Sequence, residues 1–114
     1  MSPVINQWDI YTHPFREGDH PAIILSPDEI CQNSAFQEVN VLLGVTCRPM
    51  TRPPKRYEVM LDESDGLDWK TAVRCDQIVF VPKEKLRYHR GAVSYNRRRE
   101  IGRKIVEVFR LPIA

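Results

Sequence analysis

Arg74 and Asp76 stand two positions apart in the run Val73-Arg74-Cys75-Asp76-Gln77. In an extended strand residues i and i+2 leave the same face, so the run offers a guanidinium and a carboxylate side by side between apolar neighbours. That pair suits phosphate chemistry, because a guanidinium grips phosphate oxygens bidentately and a carboxylate can take a proton. A solvated ion pair satisfies the same spacing and adds little stability, so the rest of the chain has to decide. His13 and His20 flank a polar stretch and carry the side chain best suited to giving a proton near neutrality. Thr46 closes an apolar run with a hydroxyl, which at a strand end is more often a turn hydroxyl than a ligand. Arg48, Arg52, Lys55 and Arg56 gather cations in and beside a proline-rich segment, where a stiff loop can meet a polyanion or simply be solvated.

Elements must hold these residues in place, and composition bounds what they can be. A chain of 114 residues, 28 % charged and 42 % hydrophobic, matches one globular domain, residues 1–114, with a single core. No apolar run approaches the ~20 residues of a membrane span, and the first nine residues lack a basic start followed by an apolar stretch. A cytoplasmic protein without membrane contact is expected. Cys31, Cys47 and Cys75 are odd in number and form no C-x-x-C pair, which argues against a disulfide framework and a zinc site. His13, His20 and His89 lack helical metal spacing, so neither a metal nor another cofactor is expected. Residues 1–82 hold seven basic and twelve acidic residues, a net of −5, whereas residues 83–114 hold ten and three, a net of +7. The basic end can meet a polyanion, be solvated, or dock an acidic protein.

Alternation marks residues 7–12 as a half-buried strand. Residues 13–21 contain Pro14, Gly18 and Pro21 and read as a loop. Residues 22–25 read as a strand, and Ser26-Pro27-Asp28-Glu29 as a helix start with Ser26 as N-cap and Glu29 closing a capping box. Strands follow at 39–46 and 57–61, separated by the proline-rich loop 48–54 and followed by an acidic loop at 62–66. The run around Arg74 continues as a strand to Val81, with a last short strand near residues 90–93. Ile101, Ile105, Val108 and Phe109 then form one apolar stripe, so a basic amphipathic helix starts after Ser94 and ends before Pro112. Arg97, Arg98 and Arg99 in its first turns oppose the helix dipole, a hint of contact duty. Short strands with an appended helix make the chain mainly β, a small bent antiparallel sheet or barrel.

With the strands placed, four marks fall in order: Trp8-Asp9-Ile10, His20-Pro21-Ala22-Ile23-Ile24-Leu25-Ser26-Pro27, Val45-Thr46, and Val73-Arg74-Cys75-Asp76-Gln77. The chain resembles the PemK/Kid and MazF family of toxin ribonucleases from toxin-antitoxin modules, most closely the PemK/Kid branch, over residues 8–111. The resemblance implies an SH3-like barrel of the MazF/CcdB type with a C-terminal helix, a homodimer, and metal-independent cleavage of single-stranded RNA. Attack of a ribose 2′-OH on the adjacent phosphate would leave a 2′,3′-cyclic phosphate and a 5′-OH. An antitoxin with an acidic tail would neutralise the toxin by lying in its RNA groove.

Carried over to matching positions, the resemblance gives Arg74 and Asp76 the catalytic cation and base and makes Thr46 an active-site hydroxyl. His13 lies near the place where the Kid branch has a histidine. His20 stands where family members have arginine, so it can serve as acid or phosphate ligand. A guanidinium holds its proton far above neutral pH, which suits Arg74 to charge stabilisation rather than proton donation. Arg48, Arg52, Arg56, Gln77 and Glu17 are the expected RNA contacts. The alternative is a non-catalytic SH3-like barrel that binds RNA or a protein partner, or a gyrase poison of the CcdB kind.

Overall fold

The computed structural model describes residues 4–47 and 52–113. Six strands, β1 (Asp9–Phe15), β2 (Gly18–Ile24), β3 (Glu38–Thr46), β4 (Glu58–Leu61), β5 (Thr71–Pro82) and β6 (Arg87–Ala92), form one antiparallel sheet in the order β4-β5-β3-β2-β1-β6. A short helix α1 (Asp28–Cys31) joins β2 to β3, and the longer α2 (Tyr95–Phe109) follows β6. This is the expected mainly β, SH3-like barrel architecture with a C-terminal helix.

The sheet curls because its two flanks are pinned together beyond the edge strands. A 3₁₀ turn at Glu63–Asp65 follows β4, and a Cβ on Gly91 of β6 would lie 2.3 Å from the Asp65 carbonyl oxygen and 3.0 Å from the Cα of Gly66. Only glycine permits that approach. The Asp65 carboxylate, which is buried, accepts the Ser94 amide at 2.8 Å and the Asp62 amide at 3.0 Å. Arg97 donates to the Met60 carbonyl and to Asp62, with Asp65 at 3.6 Å. The turn after β4, the end of β6 and the start of α2 are thereby tied into one corner.

Alternation divides the core. Ile10, Ile23, Leu42, Val59, Leu61, Val73 and Cys75 share one cluster, which Ile101 of α2 closes. Tyr11, Ala22, Ile24, Val39, Val41 and Val81 join Ile5, Cys31 and Leu86 in a second cluster on the other side of the pleat. Ile101 is fully buried, whereas Phe109 at the far end of its stripe is 45 % exposed, so only the first half of the expected apolar stripe is covered.

Several expectations are corrected. Residues 13–21 are not a loop but the facing halves of a tight hairpin, with Phe15 paired to Gly18 across Arg16 and Glu17. Gly18 takes the positive φ of 123° that the turn needs. The prolines fit because each lies where one flank of its strand is unpaired: β6 pairs with β1 only as far as Thr12, and β3 pairs with β2 only from Ala22 onward. Ser26 does not build a capping box. Pro27 is the N-cap of α1, without a side-chain cap bond, and the Ser26 hydroxyl accepts the Asn40 amide at 2.8 Å. Ser26 is buried, and the strand alongside claims its oxygen before the helix can. The acidic loop at 62–66 contains the 3₁₀ turn, in which Asp62 and Asp65 form the reciprocal capping box. Arg48 and the first half of the proline-rich loop lie outside the described residues. No helix among the described residues is long and apolar enough to cross a membrane.

Candidate functional site on the β3-β5-β4 face

β5 carries the site because its pairing with β3 is interrupted there. Leu43 pairs with Arg74 and Leu42 with Ile78, which leaves Cys75, Asp76 and Gln77 as an outward excursion of β5. Bulges of this kind re-aim side chains, and here Asp76 is turned onto Arg74. Arg74 donates from Nε to Asp76 Oδ1 at 2.9 Å and from Nη2 to Oδ2 at 2.8 Å. The two side chains are about a quarter exposed, 24 % and 27 %. The guanidinium carbon also sits 4.4 Å from the centroid of the Tyr57 ring, which covers one of its faces. Gln77 is exposed beside them.

Electrostatics follow from that geometry. The Arg74 guanidinium holds the Asp76 carboxyl below the usual aspartate range, and Asp76 in turn raises Arg74. Asp76 is therefore ionised, although the same pull makes it a weaker base while Arg74 holds both its oxygens, and Arg74 is a poor donor. Cys75 between them points into the core, and burial pushes its thiol up to about 12. Cys31 is likewise raised by burial to about 11, so both behave as small hydrophobes rather than nucleophiles.

A second ion pair braces the first. Glu58 is the register partner of Arg74 across β4 and β5. Arg52 grips the Glu58 carboxylate at 2.7 and 3.1 Å, and the Lys55 amide donates to it at 2.8 Å. Burial pushes the Glu58 carboxyl up, but Arg52 and the Lys55 amide outweigh it and leave it lowered. Arg52, expected as an RNA contact, is thus committed within the protein, while Arg56 is exposed. Sequence reasoning missed Tyr57 and Glu58. Their signal is the register of β4 on β5, which alternation within either strand does not reveal.

The remaining expected residues are distributed by the ladder. Ala22 pairs with Leu43 and Leu43 with Arg74, so one row crosses three strands on one face. His20 lies two residues from Ala22 on β2 and shares that face, on the order of 12 Å from Arg74 between Cα atoms by strand geometry. His20 is half-buried, and His13 faces it across the hairpin. His13 is buried, its ring edge-on to Phe15 at 4.6 Å, with both ring nitrogens lacking a hydrogen-bond partner. Glu17 is exposed at the hairpin tip. Thr46 pairs with Thr71, three rungs from the Leu43 and Arg74 pair, and alternation sends its side chain to the Val73 face rather than the Arg74 face. The structure therefore joins Arg74 and Asp76 directly, sets His20 on their face, and places Thr46 on the opposite pleat. Among the described residues no group of three or more His, Cys, Asp or Glu side chains is arranged to hold a metal ion.

Solved structures of similar shape carry a consistent set of descriptions. An endoribonuclease in complex with its cognate antitoxin from a mycobacterial species has a TM-score of 0.78 at 21 % identity, over 96 % of this chain and 99 % of that one. The Mycobacterium tuberculosis toxin MazF-mt6 has a TM-score of 0.77 at 21 % identity, over 92 % and 99 %. A MazE-MazF structure from Deinococcus radiodurans has a TM-score of 0.71 at 17 % identity, over 94 % and 96 %. At such identities these likenesses establish the fold. No curated protein matches the sequence. The family model of the PemK-like, MazF-like toxins of type II toxin-antitoxin systems matches residues 6–109. The protein belongs to that family.

Proposed function

We propose that this toxin is an endoribonuclease that cuts single-stranded RNA at the Arg74 and Asp76 face, without a metal ion, and so blocks translation and growth. The observation that carries this reading is the bidentate Arg74 and Asp76 pair on the bulged edge of β5. Asp76 removes the proton from a ribose 2′-OH, and the oxygen attacks the adjacent phosphorus. The bond to the 5′-oxygen breaks, and that oxygen takes a proton, leaving a 2′,3′-cyclic phosphate and a 5′-OH. Arg74 has five N–H donors, of which Asp76 occupies two. The others are free to hold the phosphate oxygens as charge builds on them.

His20 is assigned the proton donation. It shares the face of Arg74, whereas His13 is buried without access to a partner. An imidazole at neutral pH gives a proton more readily than a guanidinium. Gln77 beside the pair, Arg56 before β4 and Glu17 at the hairpin tip, all exposed, are assigned to the flanking nucleotides. A homodimer and a cognate antitoxin with an acidic tail belong to the same reading, which places the protein in the cytoplasm. The antitoxin-bound relatives support the second partner.

The reading is tested by incubating purified protein with mixed-sequence RNA in EDTA and typing the new ends. Cyclic phosphate and 5′-OH ends are expected, and a single 2′-deoxy substitution at a cleaved step should abolish that cut. Cleavage that persists at the deoxy step overturns the proposed attack.

A further inference from the structure

The outer face of α2 carries a row of side chains that neither the core nor the candidate site uses. Positions 95, 99, 103 and 106 recur at helical spacing on one stripe and hold Tyr95, Arg99, Arg103 and Val106, and Arg110 follows at the left-handed C-cap just past the last turn. Ile101, on the opposite side of the helix, is fully buried, while Tyr95 is 68 % exposed. Arg99, Arg103 and Arg110 are exposed as well. The neighbouring cations are all engaged: Arg97 with Asp62 and Asp65, Arg98 with the Val93 carbonyl, and Lys104 with Glu107. The three stripe arginines have no hydrogen-bond or ion partner among the described residues.

This arrangement is unfavourable for the helix itself. Arg99 has Tyr95, Asn96, Gly102 and Arg103 as its i±3 and i±4 neighbours, and none is an acid. The acids within reach of Arg103 turn elsewhere, Glu100 toward Arg97 at 4.0 Å and Glu107 toward Lys104 at 3.6 Å. Arg99 and Arg103 repel one another at i, i+4, and the first turn contains no acid to match the helix dipole. Asp62 and Asp65, the acids at the start of α2, are taken up by Arg97 and by backbone amides, so neither pairs with Arg99, Arg103 or Arg110.

We propose that this stripe is a second contact surface for single-stranded RNA, engaging the backbone that flanks the cleaved step. The inference rests on the RNA-cleaving reading of the Arg74 face. From Arg99 to Arg110 the stripe runs about 16 Å at the helical rise, a length that meets several phosphates. Tyr95 at its start offers an exposed ring for base stacking. α2 closes the cluster that contains Val73 and Cys75, on the side of the sheet away from Arg74, so RNA held at both places passes around a sheet edge. An arginine row alone would also suit an acidic peptide; the exposed ring of Tyr95 at its start is what favours RNA, which has bases to stack on it.

The test is the salt dependence of RNA binding, measured by fluorescence anisotropy. The labelled RNA carries a 2′-O-methyl group on every ribose, so it binds without being cut. The intact protein is compared with an Arg99→Gln, Arg103→Gln, Arg110→Gln variant, whose altered side chains have no other partner to lose. The slope of log affinity against log salt should flatten by about 2, since single strands release roughly 0.7 counterion per phosphate contact. Affinity should fall about a hundredfold at 0.1 M salt and converge with the unaltered protein near 1 M. An unchanged slope, in a variant whose melting temperature is unaltered, overturns the proposal. Weaker binding of poly-glutamate with RNA binding unchanged also overturns it and assigns the stripe to an acidic protein. If the slope flattens while ordinary RNA stays uncut, the stripe stands and the cleavage reading falls; cutting with an unchanged slope gives the reverse.

Discussion

His13 and His20 face each other across the first hairpin, yet one is sealed and the other is open. His13 is 7 % exposed, with neither ring nitrogen bonded, whereas His20 is half-buried on the Arg74 side. Burial pushes the His13 pKa below 6.5, and Lys85 lowers it further against the opposing pull of Asp19. His13 is therefore neutral in the fold. Its contribution to stability is intact above the unfolded value and drains as pH falls from 6.5 through the lower folded value. Urea unfolding across that window should show stability declining with acidification, and His13→Leu should flatten the decline.

Arg97 is a structural cation rather than an RNA contact. It ties the Met60 carbonyl, Asp62 and the buried Asp65 to the start of α2. Arg97→Met should leave Asp65 with backbone donors alone and cost about 2 kcal/mol, read as a lower melting temperature. RNA affinity per folded molecule should not change.

Gly102 lies in the interior of α2, and a Cβ built there meets nothing within 4 Å. Gly102→Ala should stabilise the protein by about 0.5–1 kcal/mol through helix propensity alone. Denaturant unfolding with an unchanged m-value is the check.

Tyr57 holds Arg74 from the side that Asp76 leaves open. Tyr57→Leu keeps the apolar contact but removes the ring face and should weaken cleavage by roughly threefold to tenfold, corresponding to about 1 kcal/mol of cation–π interaction. The melting temperature should stay near that of the unaltered protein, which separates a positioning role from a folding one.

The Arg74 and Asp76 pair was legible because an i, i+2 spacing survives any strand register. A small bent antiparallel sheet with a C-terminal helix was legible from alternation in β1 and β4 and from the stripe through Ile101, whereas the SH3-like barrel came from the resemblance to the toxin family. What escaped depends on which strand lies beside which. Pro14 and Pro21 signalled a loop because their unpaired flanks exist only in the assembled sheet. Ser26 signalled a helix cap because Asn40, which takes its hydroxyl, is fourteen residues away. Thr46 is an active-site hydroxyl only by the resemblance, and that the ladder sends its side chain and that of Arg74 to opposite faces is a matter of register. Tyr57 and Glu58 became visible only once β4 was in register with β5.

The central claim is that Arg74 and Asp76 together cut RNA. Its most direct test is the single-turnover rate of cyclic phosphate formation in EDTA by the unaltered protein and by an Arg74→Ala, Asp76→Ala variant of equal melting temperature. Loss of the proton acceptor and of the phosphate-holding charge should slow the reaction by at least about 10²–10⁴. A variant that cuts the same RNA as fast as the unaltered protein would contradict the account.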